Sequence, residues 1–333
     1  MSVKRGFGSF MILLFMIFIS FFAEVFINSR ALLVYYNGNF YFPTYSNMIK
    51  GSEFGLGYEY ETNYRELKKE LQENGNQGFV ILAPVPYNPY ENDLKTNAYP
   101  PFAPSLKERH FLGTDNVGRD ILARLVYGFR TAIVFSLVLL TLNYTIGITL
   151  GCAMGYFGGK FDLFFQRVIE IWNNIPFLYV IMIIASVVIP SFMILLLIMA
   201  FFGWIGITWV MRTMTYKEKE KEYILAVRSL GASHARIIFR HIIPNTLSVI
   251  VTYAPFAVSG GIVALTSLDY LGFGLPAPTP SWGELLSQGW QSMEAWWIAA
   301  SVTAALVITL MCVTFIGEGV REAFDPRRHT TYE

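Results

Sequence analysis

Four histidines, two cysteines and a scatter of acidic residues are where bond-making chemistry would begin in this 333-residue chain. His110, His234, His241 and His329 lie far apart, without the close spacing by which side chains of one helix or turn share a metal ion. Cys152 and Cys312 each sit in an apolar run, which suits small packing residues better than a disulfide or a metal pair. No glycine-rich loop ending in Lys-Ser or Lys-Thr occurs, so the sequence offers no phosphate cradle for ATP. No Ser, His and Asp set accompanies an elbow-like turn, and Gly272 and Gly274 suit a bend or close packing better than a nucleophile turn. The sequence therefore predicts no catalytic residue, no metal and no cofactor held by the chain itself. What remains is a mechanical device, residues 217–245 (KEKEKEYILAVRSLGASHARIIFRHIIPN), a charged island between two strongly apolar blocks.

Within that island the spacing predicts a helix over 223–230, with Ile224, Ala226, Val227 and Leu230 as its apolar positions and Arg228 between them. Gly231 breaks the pattern, Ser233 is placed to cap a second helix carrying Ile237, Ile238 and Phe239, and Pro244 closes the basic run. Helix, glycine turn, helix is a unit that can dock. A solvated loop would carry the same charges, so the elements around it decide.

Hydrophobic residues make up 54% of the chain and charged residues 15%, well below the roughly 25% charged fraction of soluble domains, which predicts a membrane protein. A net charge of +1, with no basic stripe, excludes a nucleic-acid partner. The predicted fold is all-α and polytopic, with six transmembrane helices at about 8–27, 131–155, 164–189, 192–211, 246–265 and 295–316, and a mixed extracytoplasmic insertion after the first. The N-terminal run lacks a small-residue cleavage site and reads as an uncleaved anchor. In the insertion, residues 28–110, VYYNGNFYF predicts a hairpin turning at Asn37 and Gly38, and 63–74 an amphipathic helix. An interfacial helix carrying Ile121, Leu122, Leu125 and Val126 leads into the second span. Asn173, Asn174 and Pro176 interrupt the third span, predicting a kink that turns amide groups inward, toward a pathway or, as an equally good explanation, into hydrogen bonds between helices. Residues 266–289 are rich in Gly and Pro, carry Asp269 and Glu284, and predict a bent re-entrant segment, with Asp269, Gly272, Phe273 and Gly274 as a candidate outer gate; a plain packed loop is the alternative. Lys4 and Arg5, Lys160 and Arg167, the cluster 212–240 and the arginines 321–328 all fall on one side of a six-span chain. Both termini and the island are then cytoplasmic. The domain reading is an anchor at 1–27, the insertion at 28–110, a core at 111–320 and a cytoplasmic tail at 321–333.

Four ordered stretches carry a family resemblance. The island resembles the EAA loop of ABC importer permeases, matching at Ala226, Gly231 and Pro244, while Leu225 and Val227 replace the pattern's Glu and second Ala. LGTDNVGRDILARLVYGFR (112–130), LDYLGFGLPAPTPSWGELLSQG (268–289) and GEGVREAFDPR (317–327) look like the C-type permease subunits of dipeptide, oligopeptide and nickel importers. The long insertion, with RALLVYYNGNFYFP, resembles the Yej-type subunits that serve oligopeptides and microcin C. The resemblance implies a permease of the bacterial inner membrane, embedded in lipid and forming half of a translocation path. It further implies a second homologous permease, separate ABC ATPase subunits that bind ATP and Mg²⁺, and an extracytoplasmic substrate-binding protein. Ala226 would keep an ATPase contact close, Gly231 would reverse the chain, Arg228, Arg236 and Arg240 would offer charge pairs, and Pro244 would lead the motion into the fifth span. A nickel or other small-solute importer is the alternative within the family. A secondary transporter would need ionisable residues in mid-span, and a membrane-embedded enzyme a cluster of acids, bases or metal ligands.

Overall fold

The computed structural model describes residues 2–73, 78–94 and 98–324. The last residues of the predicted tail, with Arg327, Arg328 and His329, lie outside the described residues, as does Asn74 at the end of the predicted insertion helix. The chain is mostly helical. In order run α1 (Ser2–Phe21), α2 (Ala23–Phe26), β1 (Leu33–Tyr36), β2 (Asn39–Tyr41), α3 (Tyr64–Glu73), β3 (Gly78–Ile81), α4 (Ile121–Phe157), α5 (Gly159–Asn173), α6 (Phe177–Val187), α7 (Phe192–Gly203) and α8 (Ile205–Glu218). There follow α9 (Glu222–Ser229), α10 (His234–Ile237), a π-type turn at Ile238–Ile242, α11 (Ile243–Asn245), α12 (Leu247–Tyr270), α13 (Trp282–Gln291) and α14 (Trp296–Ala323). Among the described residues five helical stretches are long and apolar enough to cross a membrane, or six if the bent pair α5 and α6 is one span.

Several expected boundaries shift. The predicted interfacial helix and second span are one 37-residue helix, α4, because no Pro interrupts 121–131, and Gly128 continues the helix where a Cβ would stand 2.9 Å from the Trp282 ring. The break at Asn173, Asn174 and Pro176 is present, and α5 and α6 meet there at 64°, since proline cannot donate to the preceding turn. Residues 266–289 are non-helical only at their centre: 266–270 continue α12 and 282–291 form α13, whose first turn is capped by Ser281 accepting from the Glu284 amide.

The chain folds as two compact units, one of residues 13–131 and 277–308, the other of 1–12, 132–276 and 309–333. The first holds an antiparallel sheet of order β2-β1-β3, with Val34 opposite Tyr41 and Val80. Asn37 and Gly38 both take positive φ, 50° and 82°, as the predicted primed hairpin requires. Helix α3 buries Tyr64, Leu67 and Leu71 in one cluster with Val34, Phe54 and Val80, leaving its charged face outward. A buried ionic network ties α4 to α13. Asp115 accepts the Arg119 guanidinium at 2.7 Å, Arg119 also reaches Glu284 at 2.7 Å, and the fully buried Arg124 pairs with that same glutamate. Arg124 further donates to the Pro89 carbonyl at 3.0 Å, and the Trp282 indole donates to the Leu125 carbonyl at 2.9 Å.

His110 also belongs to this unit, and it is no surface histidine. It is fully buried, with Nδ1 2.8 Å from Asp120 and Nε2 3.1 Å from Asp93, and stacks on Tyr87 at 3.9 Å. Burial opposes its charge, but the two carboxylates outweigh that and hold its pKa above the ordinary value.

In the second unit α4 and α8 approach backbone to backbone. Gly147, Gly151 and Gly155 form one stripe at four-residue spacing. A Cβ on Gly151 would stand 2.4 Å from the Thr208 carbonyl, and one on Gly155 2.6 Å from that of Arg212. Cys152 is buried beside this seam in the cluster of Met211 and Ile207, a packing residue in agreement with its reading from sequence.

Candidate functional site

The charged island is mounted on this seam. Helix α9 begins just after α8, turned in by Lys221, whose ammonium pairs with Glu218 at 2.8 Å. Glu218 also accepts from the Tyr223 hydroxyl at 2.5 Å; burial, reinforced by that carboxylate, pushes the Tyr223 phenol up. The Lys219 ammonium donates to the Gly155 carbonyl at 2.9 Å, closing the end of α4 against the end of α8. Below α9, Ile224, Ile237, Ile238 and Ile242 form one buried cluster with Met211 and Ile250. Four isoleucines fully removed from water contribute on the order of 6–12 kcal/mol before conformational entropy is subtracted. The island is therefore a packed subdomain.

Its turns follow from local chemistry. Gly231 has φ +79°, a left-handed conformation that reverses the chain after α9. Ser233 accepts from the Arg236 amide as cap of α10, and Tyr156 meets His234 Nδ1 at 2.9 Å.

What α9 and α10 leave outward is as specific as what they bury. Ala226, Arg228, Gly231, Arg236, Arg240 and Pro244 are all exposed, and none of the three arginines has an ion-pair partner among the described residues. Leu225 is 48% exposed, Leu230 87% and Phe239 56%. Leu230 and Phe239 are named from sequence only as apolar positions of the two helices, and both face outward. The π-type turn after Ile237 adds a residue to the ladder, so Ile238 and Ile242 point in and Phe239 points out. A shallow cavity of about 390 Å³ beside α9 is bounded by Tyr156, Phe157, Lys219, Glu220, Leu225 and Arg228.

The other predicted residues lie on separate elements. Asn173, Asn174 and Pro176 are exposed at the α5–α6 bend, where the Asn174 amide donates to the Glu170 carbonyl at 2.6 Å. Asp269, Gly272, Phe273 and Gly274 form the turn that ends α12: Asp269 Oδ1 accepts from the Leu275 amide at 2.7 Å, and Phe273 donates its amide to the Leu268 carbonyl at 2.9 Å. A Cβ on Gly274 would fall 1.8 Å from that carboxylate, so only glycine closes this turn.

Sequence reasoning missed Asp162 and Arg212. Arg212 was counted with the basic island, yet its guanidinium is committed to Asp162 by two bonds of 2.5 and 2.7 Å, and Tyr216 donates to the same carboxylate at 2.7 Å. The only local signal was a lone acid, Asp162, just after Gly158, Gly159 and Lys160. Among the described residues no group of three His, Cys, Asp or Glu side chains is placed to hold a metal ion.

Residues 147–330, which include the whole island, match the family described as "Binding-protein-dependent transport system inner membrane component". The chain is 39% identical over 327 residues to the inner membrane ABC transporter permease protein YejE of Escherichia coli strain K12, covering 98% of this chain and 94% of the relative. It is 37% identical over 347 residues to the peptidoglycan transport system permease protein YejE of Agrobacterium fabrum, covering 98% and 90%. The oligopeptide transport system permease protein OppC of Haemophilus influenzae is 34% identical over 252 residues, covering 75% of this chain and 80% of the relative. Among solved structures, a chain of the inward-facing MetNI methionine ABC transporter shares the fold, with TM-score 0.50 and 18% identity over 61% of this chain and 97% of that one.

Proposed function

The chain belongs to the family of binding-protein-dependent transport system inner membrane components, and on that premise we propose that it lines half of the translocation path of an ATP-driven importer for peptides or peptide-like compounds. It is a permease component of an ABC importer in the inner membrane, crossing it several times. ATP and Mg²⁺ are bound by separate ATPase subunits, a second homologous permease completes the path, and an extracytoplasmic binding protein delivers the cargo. Relatives named for oligopeptide and peptidoglycan transport support a peptide-like cargo, and the two YejE relatives extend over the 28–110 segment as well. The α5–α6 pair counts as one span, giving six. Both termini and the α9–α10 unit are then cytoplasmic, and 28–110 is extracytoplasmic.

The observation that carries this reading is the outward face of α9 and its turn: small Ala226, exposed Leu225 and Leu230, and Arg228 and Arg236 without an ion-pair partner among the described residues, on a rigid isoleucine mount. An apolar patch rimmed by cations is what a grooved, acid-edged protein surface would take up. The ATPase groove closes on nucleotide, pulls α9, and the motion enters α12 through Pro244. At the other end the Asp269 to Gly274 turn, with Asn173, Asn174 and Pro176 at the α5–α6 bend, borders the path; nucleotide-dependent cross-linking of Phe273→Cys to the second permease would reveal gate movement.

Gly231→Val is the direct test. Space around Gly231 is open, so the cost is conformational, about 1–2 kcal/mol or more for a branched residue held left-handed. Transport and transport-linked ATP hydrolysis should be lost while the protein still inserts. Gly231→Asn, which tolerates that conformation, should retain both activities. Full transport by the valine variant would refute the coupling role.

A further inference from the structure

A cleft of about 610 Å³ opens between α3 and the loop 105–110, within the unit that carries the sheet. Lys68 and Lys69 line it from α3, and Lys107 and Arg109 from the loop. None of these four cations has an ion-pair partner among the described residues. The remaining charges of the cleft are already engaged. Arg65 is held by Glu91 and by the Pro86 carbonyl at 2.6 Å, Asp93 meets buried His110, and Glu108 has a partner of its own. The cleft thus carries five cations against two acids, and Leu82, Pro86 and Tyr87 give it an apolar lining.

Arg109 has φ +62°, a region that non-glycine residues seldom occupy. The loop that imposes it is tied shut, the Ser105 amide donating to the His110 carbonyl at 2.8 Å, and His110 is pinned between Asp120 and Asp93. Strain of this kind persists where the surroundings over-determine it, and here it holds the backbone of half-buried Arg109 at the wall of the cleft.

We propose that this cleft binds a short free peptide carrying several carboxylates. Cations on two facing walls can hold carboxylates spaced along an extended backbone, with Arg109 offering a two-pronged contact, while the apolar lining takes the chain between them. The volume is that of a small-molecule pocket, and a concave site of this size suits an inserted chain better than a flat protein interface or a bilayer surface. The inference rests on the peptide reading above and extends it: the unit carrying the sheet selects cargo by charge.

The test is fluorescence anisotropy of labelled tetraglutamate with the purified full-length chain in detergent. Binding should appear at about 50 mM salt and weaken strongly by about 500 mM, while tetraglutamine stays unbound. Arg109→Gly, which suits the positive φ and should keep the thermal midpoint, should weaken binding about ten-fold, and Lys68→Glu combined with Lys107→Glu should abolish it. No tetraglutamate binding at low salt, equal binding by both variants, or binding to phosphatidylglycerol vesicles in place of the peptide would overturn the proposal. Uptake of a neutral peptide by the assembled wild-type transporter tests the import reading separately, so uptake alongside a flat titration sinks this inference alone.

Discussion

Arg212 of α8 grips Asp162 of α5 through two bonds of 2.5 and 2.7 Å, five residues before the charged island begins at Lys217 and nine before Lys221 in the turn to α9. The pair therefore joins the helix that carries the island to the helix that precedes the 64° bend. Asp162 is buried, so removing its partner leaves a carboxylate without compensation. Arg212→Ala should lower stability by about 3 kcal/mol, and Asp162→Asn with Arg212→Gln together by less than the two single changes summed. Thermal unfolding in detergent, run as a double-mutant cycle, measures the coupling.

The glycine seam gives a steric prediction. Gly151→Ala places a methyl group against the Thr208 carbonyl and should cost about 1–3 kcal/mol. Gly206→Ala, where nothing lies within 4 Å, should cost nothing measurable. Comparing the two thermal midpoints separates crowding at the seam from a general effect of added methyls.

His110 makes the unit carrying the sheet sensitive to pH. Its folded pKa is raised, so its contribution is fully present below the unfolded value of about 6.5 and is lost as pH rises through the folded value. Thermal stability should therefore fall between about pH 6 and pH 9 by more in the wild type than in His110→Gln. Parallel curves for the two proteins would show that the histidine contributes no linkage.

Glu284→Gln should destabilise strongly, by about 3 kcal/mol, because Arg119 and the fully buried Arg124 both lose an anion. Limited proteolysis after residues 277–281 and the unfolding midpoint should change together.

Much of the fold was legible because its signals are local. The primed turn at Asn37 and Gly38, the break at Pro176 and the reversal at Gly231 each depend on the conformational range of one or two residues. The amphipathic α3 needed only the periodicity of its own ten residues. What escaped depends on distant partners. The short strand β3 has no turn chemistry of its own and exists because it pairs with β1. Glu284 lies 165 positions from Arg119, and nothing near either announces the other. The direction of Phe239 could not be read from spacing, because a single π-type turn re-aims the side chains of that segment. The glycines of α4 were visible as residues, but which helix they admit is settled only in three dimensions.

That stripe also says how displacement passes through this half of the molecule. A helix pair separated by long side chains has give in it, since rotamers can yield before backbones move. Along Gly147, Gly151 and Gly155 the space a Cβ would need is already filled by atoms of α8, including the Thr208 and Arg212 carbonyls, so there is no soft layer to take up slack. A push on α8 toward α4 is a push on α4 itself, and the joint runs without backlash.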